Sequence, residues 1–216
     1  MFHMNHLLYK EFRLAAHPTL YIFLWMGALI LIPSYPYTTV FIFGCFAPLI
    51  TLQNGRENHD AFYTATLPVK KSQVVKGKFS LFITTQIAQL FLTLPFTIIR
   101  ITQIPIKNTV GIAPNLTYYA AGLLVFTLFN FFFFTEFYKT AYKIGKAFIK
   151  GMVPALLIAV LTETISHIPK LAWLNSLNKT DLRLQLPIFL FAVLFFIAGN
   201  ILAFKISKES FEKVDL

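Results

Sequence analysis

Charged residues are scarce in this chain of 216 residues, since Asp, Glu, Lys and Arg make up 13% of it and hydrophobic residues 56%. A soluble domain usually carries about a quarter charged residues, so the composition excludes an ordinary soluble domain. Cysteine is almost absent as well. Cys45 stands alone, which excludes a disulfide or a cysteine-ligated metal site within one chain. The composition therefore indicates a membrane protein.

Several long stretches lack charge altogether. Residues 79–99, 116–135 and 184–204 run for 20 or 21 residues without a charged side chain, about the length of a helix that crosses a bilayer. Residues 20–52 are too long for one span, and Pro33-Ser34-Tyr35-Pro36 predicts a turn in their middle because proline disfavours helix. The short apolar run 151–162 becomes a further span if Lys150 reaches the membrane interface.

The sequence therefore predicts an all-α membrane protein with one transmembrane domain over residues 1–216. Residues 1–17 are predicted to form an interfacial helix, because apolar residues recur there at helical spacing beside a basic face. Six transmembrane helices are predicted at about residues 18–33, 37–53, 76–100, 115–136, 147–168 and 184–204. Fourteen of the 19 lysines and arginines would then lie on the side of the termini. The positive-inside rule places both termini in the cytoplasm, and nucleic-acid binding is not expected.

No motif for catalysis, metal binding or phosphate binding is present. The sequence contains no G-x-S-x-G, H-E-x-x-H or G-x-x-x-x-G-K-[ST] pattern. We assign no catalytic residue and no metal site, and if ATP drives the protein, another chain binds it. Glu163 is the most unusual ionisable group, because charges within spans are costly and tend to be functional. With His167 one turn further on, Glu163 is a candidate for a conduit or outer gate; the alternative is that it simply reaches outer water.

The segment after the second span is predicted to form a cytoplasmic helix over about residues 56–67, which ends before Pro68. Glu57 and Asp60 would lie in its first turn, where the helix dipole favours negative charge. Phe62 and Tyr63 would project from its body. Such a helix either lies on lipid or docks on a soluble partner.

This helix, the six spans and the block E-N-x-D…L-P-V-K-K…V-V-K-G-K resemble the permeases of type-2 ABC exporters. In that family the corresponding helix is the coupling helix, which docks on the ATP-binding subunit. The resemblance implies partner-binding roles for Glu57, Asn58, Asp60, Phe62, Tyr63 and Leu67. The second cytoplasmic loop is similar to the F-Y-K…G-x-K-A loop of small bacterial members, which implies a second surface facing the ATPase at Tyr138, Lys139, Lys143 and Lys146.

The resemblance also implies the partners of the chain. They are two copies of an ABC ATP-binding subunit that hold ATP and magnesium, a second permease copy in a homodimer, membrane lipids and an amphipathic peptide cargo. This chain would hold no cofactor, would not be an enzyme, and would lie as a multi-pass protein in the bacterial plasma membrane.

The most similar group is the small permeases that export amphipathic cytolytic peptides, like phenol-soluble modulin exporters, alongside bacitracin-type resistance permeases. The aromatic run 131–134 is expected to face lipid or an apolar conduit. The alternatives are a membrane-embedded enzyme, such as an intramembrane peptidase, and an ATP-independent secondary carrier.

Overall fold

The amino-terminal segment bends sharply where the first apolar run begins. The structure is a computed structural model that describes residues 4–66, 68–104, 106, 108–141 and 143–214. Helix α1 (Met4–Lys10) continues as a π-helical turn (Glu11–Ala15), and α2 (Pro18–Phe23) continues as a 3-10 helix (Leu24–Leu31). The two parts meet at 89°. Pro18 suits the first helical turn, where its missing N–H is not needed, and the N–H of Thr19 donates to His17 Nδ1.

The described residues after this segment form helices joined by turns, with no strand among them. The helices are α3 (Thr39–Glu57), α4 (Asp60–Thr66), α5 (Lys71–Gln103), α6 (Leu116–Phe137), α7 (Ile144–Ile165), a 3-10 helix (Pro169–Asn175) and α8 (Lys179–Glu212). Their order places the first and last described residues, 4 and 214, together with residues 58–66, 68–70, 138–141 and 143 at one end, the termini side. Residues 32–38, 104, 106, 108–115 and 166–178 lie at the other end, the far side.

Within the described part of the chain, four helices, α5 to α8, are long and apolar enough to cross a membrane, and the bent pair His6–Ala15 with Pro18–Leu31 counts as a fifth candidate. The prediction of an all-helical membrane protein is confirmed at this level. Helix α3, at the predicted second span, is not among the candidates, since its last turn and a half carries the polar residues QNGRE. Six spans and cytoplasmic termini stay predictions.

Helix α6 forms the core of the molecule. Of its most apolar stretch, 72% is buried, and it packs most extensively against α7 and α8. Phe133 and Phe134 are fully buried there, whereas Phe132 is 40% exposed. The sequence does not assign a face to each ring of the run 131–134, and the structure shows that Phe133 and Phe134 fill the space between α6 and its neighbours.

Polar side chains join three of these helices within the bundle. The amides of Gln86 on α5 and Asn130 on α6 exchange two hydrogen bonds of 2.9 and 2.7 Å. Asn130 Nδ2 also donates to Asn200 Oδ1 on α8 at 2.9 Å. An amide without a partner is costly away from water, so these bonds fix the register of α5, α6 and α8.

Candidate functional site

Four charged side chains from distant parts of the sequence meet on the termini side in an ion-pair cluster, Lys10, Glu11, Asp60 and Lys78. The amino-terminal segment supplies Lys10 and Glu11, α4 supplies Asp60, and α5 supplies Lys78. Lys10 Nζ lies 2.5 Å from Asp60 Oδ1 and 3.2 Å from Glu11 Oε1. Lys78 Nζ lies 2.6 Å from Glu11 Oε2 and 2.9 Å from Asp60 Oδ2. The cluster thus ties three separate segments together.

The cluster is almost closed to solvent and electrically balanced. Its side chains are 10% exposed at Lys10, 0% at Glu11, 17% at Asp60 and 8% at Lys78. Burial by itself would raise the pKa of the Asp60 carboxyl, but the Lys78 and Lys10 ammonium groups outweigh burial, and the pKa lies below its ordinary value of 3.8. Lys10 also donates to Thr64 Oγ1 at 2.7 Å. Helix α4 is therefore held at two points one turn apart.

Helix α4 is shorter than predicted. Glu57 is the last residue of α3, and α4 begins only at Asp60. Between them, the N–H of Asn58 donates to Asn54 O, and His59 takes a left-handed conformation with φ of 53°. This conformation ends a helix, so a single helix over residues 56–67 is not observed, and Glu57 is not in the first turn of α4.

The residues predicted to bind a partner on α4 divide into exposed and inward-facing ones. Glu57 and Asn58 are exposed at the end of α3, and Tyr63 is 56% exposed on α4. Asp60 instead faces the ion-pair cluster. Leu67 and the side chain of Phe62 lie outside the described residues.

In the second loop, lysines gather around a single carboxylate. Lys139, Lys146 and Lys150 approach Glu136 with N–O distances of 2.9, 3.0 and 2.8 Å, and Lys143 is exposed. The surface therefore carries an excess of positive charge, made largely of residues predicted to face the ATPase.

Tyr138 does not belong to that surface. It is 2% exposed and packs against Phe79 of α5 and Phe211 of α8. A partner cannot contact its side chain in this conformation, because α8 continues past its predicted end and covers it.

On the far side, Glu163 holds two loops. Its carboxylate accepts hydrogen bonds from Thr38 N–H at 2.8 Å, Thr38 Oγ1 at 2.7 Å and Ile112 N–H at 2.8 Å. His167 Nε2 lies 2.9 Å from Val110 O. A Cβ at Gly111 would lie 1.7 Å from Glu163 Oε2, so the close approach requires glycine there. Glu163 thus accepts hydrogen bonds from backbone and hydroxyl donors of two loops, and a role in a conduit or outer gate stays a prediction.

Most of the sequence matches a known family. Residues 6–209 match the family described as ABC-2 family transporter protein. The chain belongs to this family. It is therefore a membrane permease of an ABC transporter and a multi-pass membrane protein, and the family implies an ABC ATP-binding partner subunit. No curated protein matches the chain, and no solved structure does.

Sequence reasoning about this ABC-2 permease missed the ion-pair cluster. Its members lie up to 68 residues apart, and no local pattern links Glu11 with Lys78. One signal was present, because Glu11 is the sole acid among the first 56 residues, in an otherwise basic segment. A lone acid there indicates an ion pair with a distant base, although it does not identify which one.

Proposed function

We propose that this ABC-2 permease forms the membrane conduit of an ATP-driven exporter of amphipathic peptides or similarly apolar cargo. It acts as a homodimer with six spans per copy and with both termini in the cytoplasm of a bacterial cell. Two ATP-binding subunits hold ATP and magnesium and carry out hydrolysis, while this chain catalyses no reaction and holds no cofactor. The resemblance to peptide-exporting permeases supports the direction of transport and the cargo.

The observation that carries the proposal is the ion-pair cluster beneath α4. Two contacts of Asp60, 2.5 Å to Lys10 and 2.9 Å to Lys78, hold α4 against both the amino-terminal segment and α5, and Glu11 joins the same two lysines to each other. A displacement of α4 is therefore transmitted to α5 through the contact between Asp60 and Lys78. Helix α4 then serves as the coupling helix, with Tyr63, Glu57 and Asn58 presented to the ATP-binding subunit and Asp60 anchoring the helix from below.

The apolar faces of the bundle support the cargo class and the homodimer. Of the most apolar stretches, 33% is buried in α5, 33% in α7 and 22% in α8, which leaves wide apolar surfaces uncovered. Residues 184–204 carry no charge, and side chains such as Leu194 and Phe191 are more than half exposed. These faces suit lipid, a second copy and a wall along which the apolar side of a peptide can move.

Co-purification with the ATP-binding subunit tests the docking surface. We expect Tyr63→Ala to reduce the amount of ATP-binding subunit retained by the tagged permease, because an exposed aromatic anchor is lost. Tyr9→Ala is the matched control, since Tyr9 is 61% exposed but lies on α1. Unchanged retention by Tyr63→Ala, or an equal loss with Tyr9→Ala, would contradict docking at α4.

Labelling and turnover test orientation and transport. Lys70→Cys in a Cys45→Ala background should react with a membrane-impermeant thiol reagent only from the cytoplasmic face. In liposomes, amphipathic helical peptides should stimulate ATP turnover by the reconstituted complex, and hydrophilic peptides of equal length should not. Labelling of residue 70 from the outside alone would refute the orientation, and equal turnover with both peptide classes would refute the cargo class.

A further inference from the structure

A cavity of about 330 Å³ opens on the far side at the end of α5. Its wall combines the turn before α3, the last turn of α5, the loop after it and the segment before α8. The volume equals that of about ten waters, at roughly 30 Å³ each, and lies at the lower end of the usual size for ligand sites. The cavity is separate from the ion-pair cluster, which lies at the other end of the molecule.

The cavity contains a buried cation, and no anion of the described residues lies beside it. Arg100 lines the cavity and is 4% exposed. Its Nε donates to Tyr37 Oη at 2.8 Å, and its Nη1 and Nη2 donate to the carbonyl oxygens of Ile104 and Ile106. All three acceptors are neutral. Among the described residues Arg100 forms no ion pair, and Glu163 is occupied by Thr38 and Ile112.

The unused donors of the cavity favour an oxyanion. A guanidinium has five N–H groups, and three are used in these bonds, so two remain without a described protein acceptor. Asn175 also lines the cavity; its Oδ1 accepts from Ala113 N–H, and its amide N–H₂ has no described acceptor. No Asp or Glu is among the described lining residues. Burying a charge without a partner of opposite sign is costly, and a guanidinium pairs best with carboxylate or phosphate.

The apolar part of the cavity indicates that the oxyanion belongs to a lipid. Ile101, Ile104 and Leu177 line the same cavity, and Ile101 and Leu177 are each 42% exposed at its rim. Arg100 directly follows the uncharged run 79–99, which matches the depth of lipid headgroups for a spanning helix. A ligand with a phosphate at one end and acyl chains at the other fits both parts of the wall.

We propose that this cavity binds the phosphate of a phospholipid from the far-side leaflet. The two remaining N–H groups of Arg100 and the amide of Asn175 donate to the phosphate oxygens, while the glycerol and the first acyl carbons lie along Ile101 and Leu177. The proposal does not rest on the export cargo, because it needs only a bilayer on the far side.

Lipid titration of the purified full-length permease in a non-ionic detergent tests the site. The probes are dihexanoyl phosphatidylglycerol, dihexanoyl glycerol and inorganic phosphate, with bound lipid measured by native mass spectrometry and affinity by the thermal unfolding midpoint. We expect saturable binding of phosphatidylglycerol and at least about tenfold weaker binding of dihexanoyl glycerol, because the charged hydrogen bonds are missing. Inorganic phosphate should bind more weakly than the lipid, since it contacts none of the apolar wall.

Variants of the chain locate the binding. Arg100→Gln should weaken phosphatidylglycerol binding at least about tenfold, whereas Arg183→Gln, an exposed far-side arginine, should not change it. Leu177→Trp should weaken binding by filling the cavity, although Arg100 keeps its three bonds; it therefore tests the site even if Arg100→Gln fails to fold. Binding unaffected by Leu177→Trp would overturn the site. Inorganic phosphate that binds as tightly as the lipid would overturn the lipid assignment.

Discussion

The ion-pair cluster gives the most direct prediction, because removal of one charge leaves another buried without a partner. Asp60→Asn converts two cations and two anions into two cations and one anion. Breaking a buried ion pair by removing one partner destabilises a protein by about 3–5 kcal/mol. Asp60 is 17% exposed, and an asparagine can still accept one hydrogen bond. We therefore expect the free energy of unfolding to fall by about 3 kcal/mol, the lower end of this range. Glu57→Gln, at an exposed carboxylate, should stay within about 0.5 kcal/mol.

A second substitution distinguishes the energetic effect of an unbalanced charge from the effect of lost side-chain packing. Lys10→Gln added to Asp60→Asn leaves Glu11 and Lys78 as a balanced pair, so the double variant should be less destabilised than the sum of the single ones. Neighbouring residues in one network show coupling energies of about 0.5–3 kcal/mol. Additive effects would mean that the charges do not interact, and the reasoning about the cluster would be refuted.

The assay is the unfolding midpoint of the purified permease as a function of pH. The pKa of Asp60 is lower in the folded protein than its ordinary value of 3.8. Its contribution to stability is therefore fully present above that ordinary value and is lost as the pH falls through the folded pKa. At neutral pH, about 3 kcal/mol corresponds to a fall of about 6–12 °C for a chain of this size. The difference between wild type and Asp60→Asn should shrink in acid, and a difference that is independent of pH would refute the linkage.

Three further variants separate structural from superficial polar contacts. Glu163→Gln should lower the free energy of local opening of the far-side loops by about 1.5–3 kcal/mol, because the amide N–H₂ cannot accept from Ile112 N–H. Hydrogen exchange at residues 108–113 should become faster, and unchanged exchange would contradict this prediction. Asn130→Leu should destabilise the bundle by about 1–2 kcal/mol, since Gln86 loses both bonds within the membrane, whereas Asn58→Leu at an exposed position should not. Glu136→Gln should change the unfolding free energy by less than about 1 kcal/mol, because its lysine partners are 47% to 63% exposed; a larger loss would show that this surface is more rigid than its exposure indicates.

The sequence predicted the long helices well where apolar runs are uninterrupted. Helix α6 spans Leu116–Phe137 against a prediction of 115–136, because an uncharged run of this length has few other stable arrangements in a membrane. The start of α4 was missed, since the left-handed His59 is a local conformation that no composition rule indicates. Helix α8 continues to Glu212 past its apolar run, because Phe211 packs on Tyr138.

The candidate site was predicted only in part, because local sequence patterns do not show which distant segments meet. Periodicity and charge locate exposed side chains such as Tyr63, but they do not identify contacts between distant segments. The pairing of Glu11 with Lys78 depends on where the amino-terminal segment turns and how α5 begins. Arg100 was predicted as the last residue of the third span, but its burial against the carbonyl groups of Ile104 and Ile106 depends on the path of the chain after α5.

The ion-pair cluster and the buried amides link different parts of the chain. All four of its charges belong to segments that precede α6, whereas the amides of Gln86, Asn130 and Asn200 span both parts of the chain. At this cluster α4 is therefore linked directly to the amino-terminal segment and to α5, and the amide bonds link α5 in turn to α6 and α8. In the coupling role that we propose for α4, a displacement of α4 reaches the first part of the chain directly and α6 and α8 through these amides.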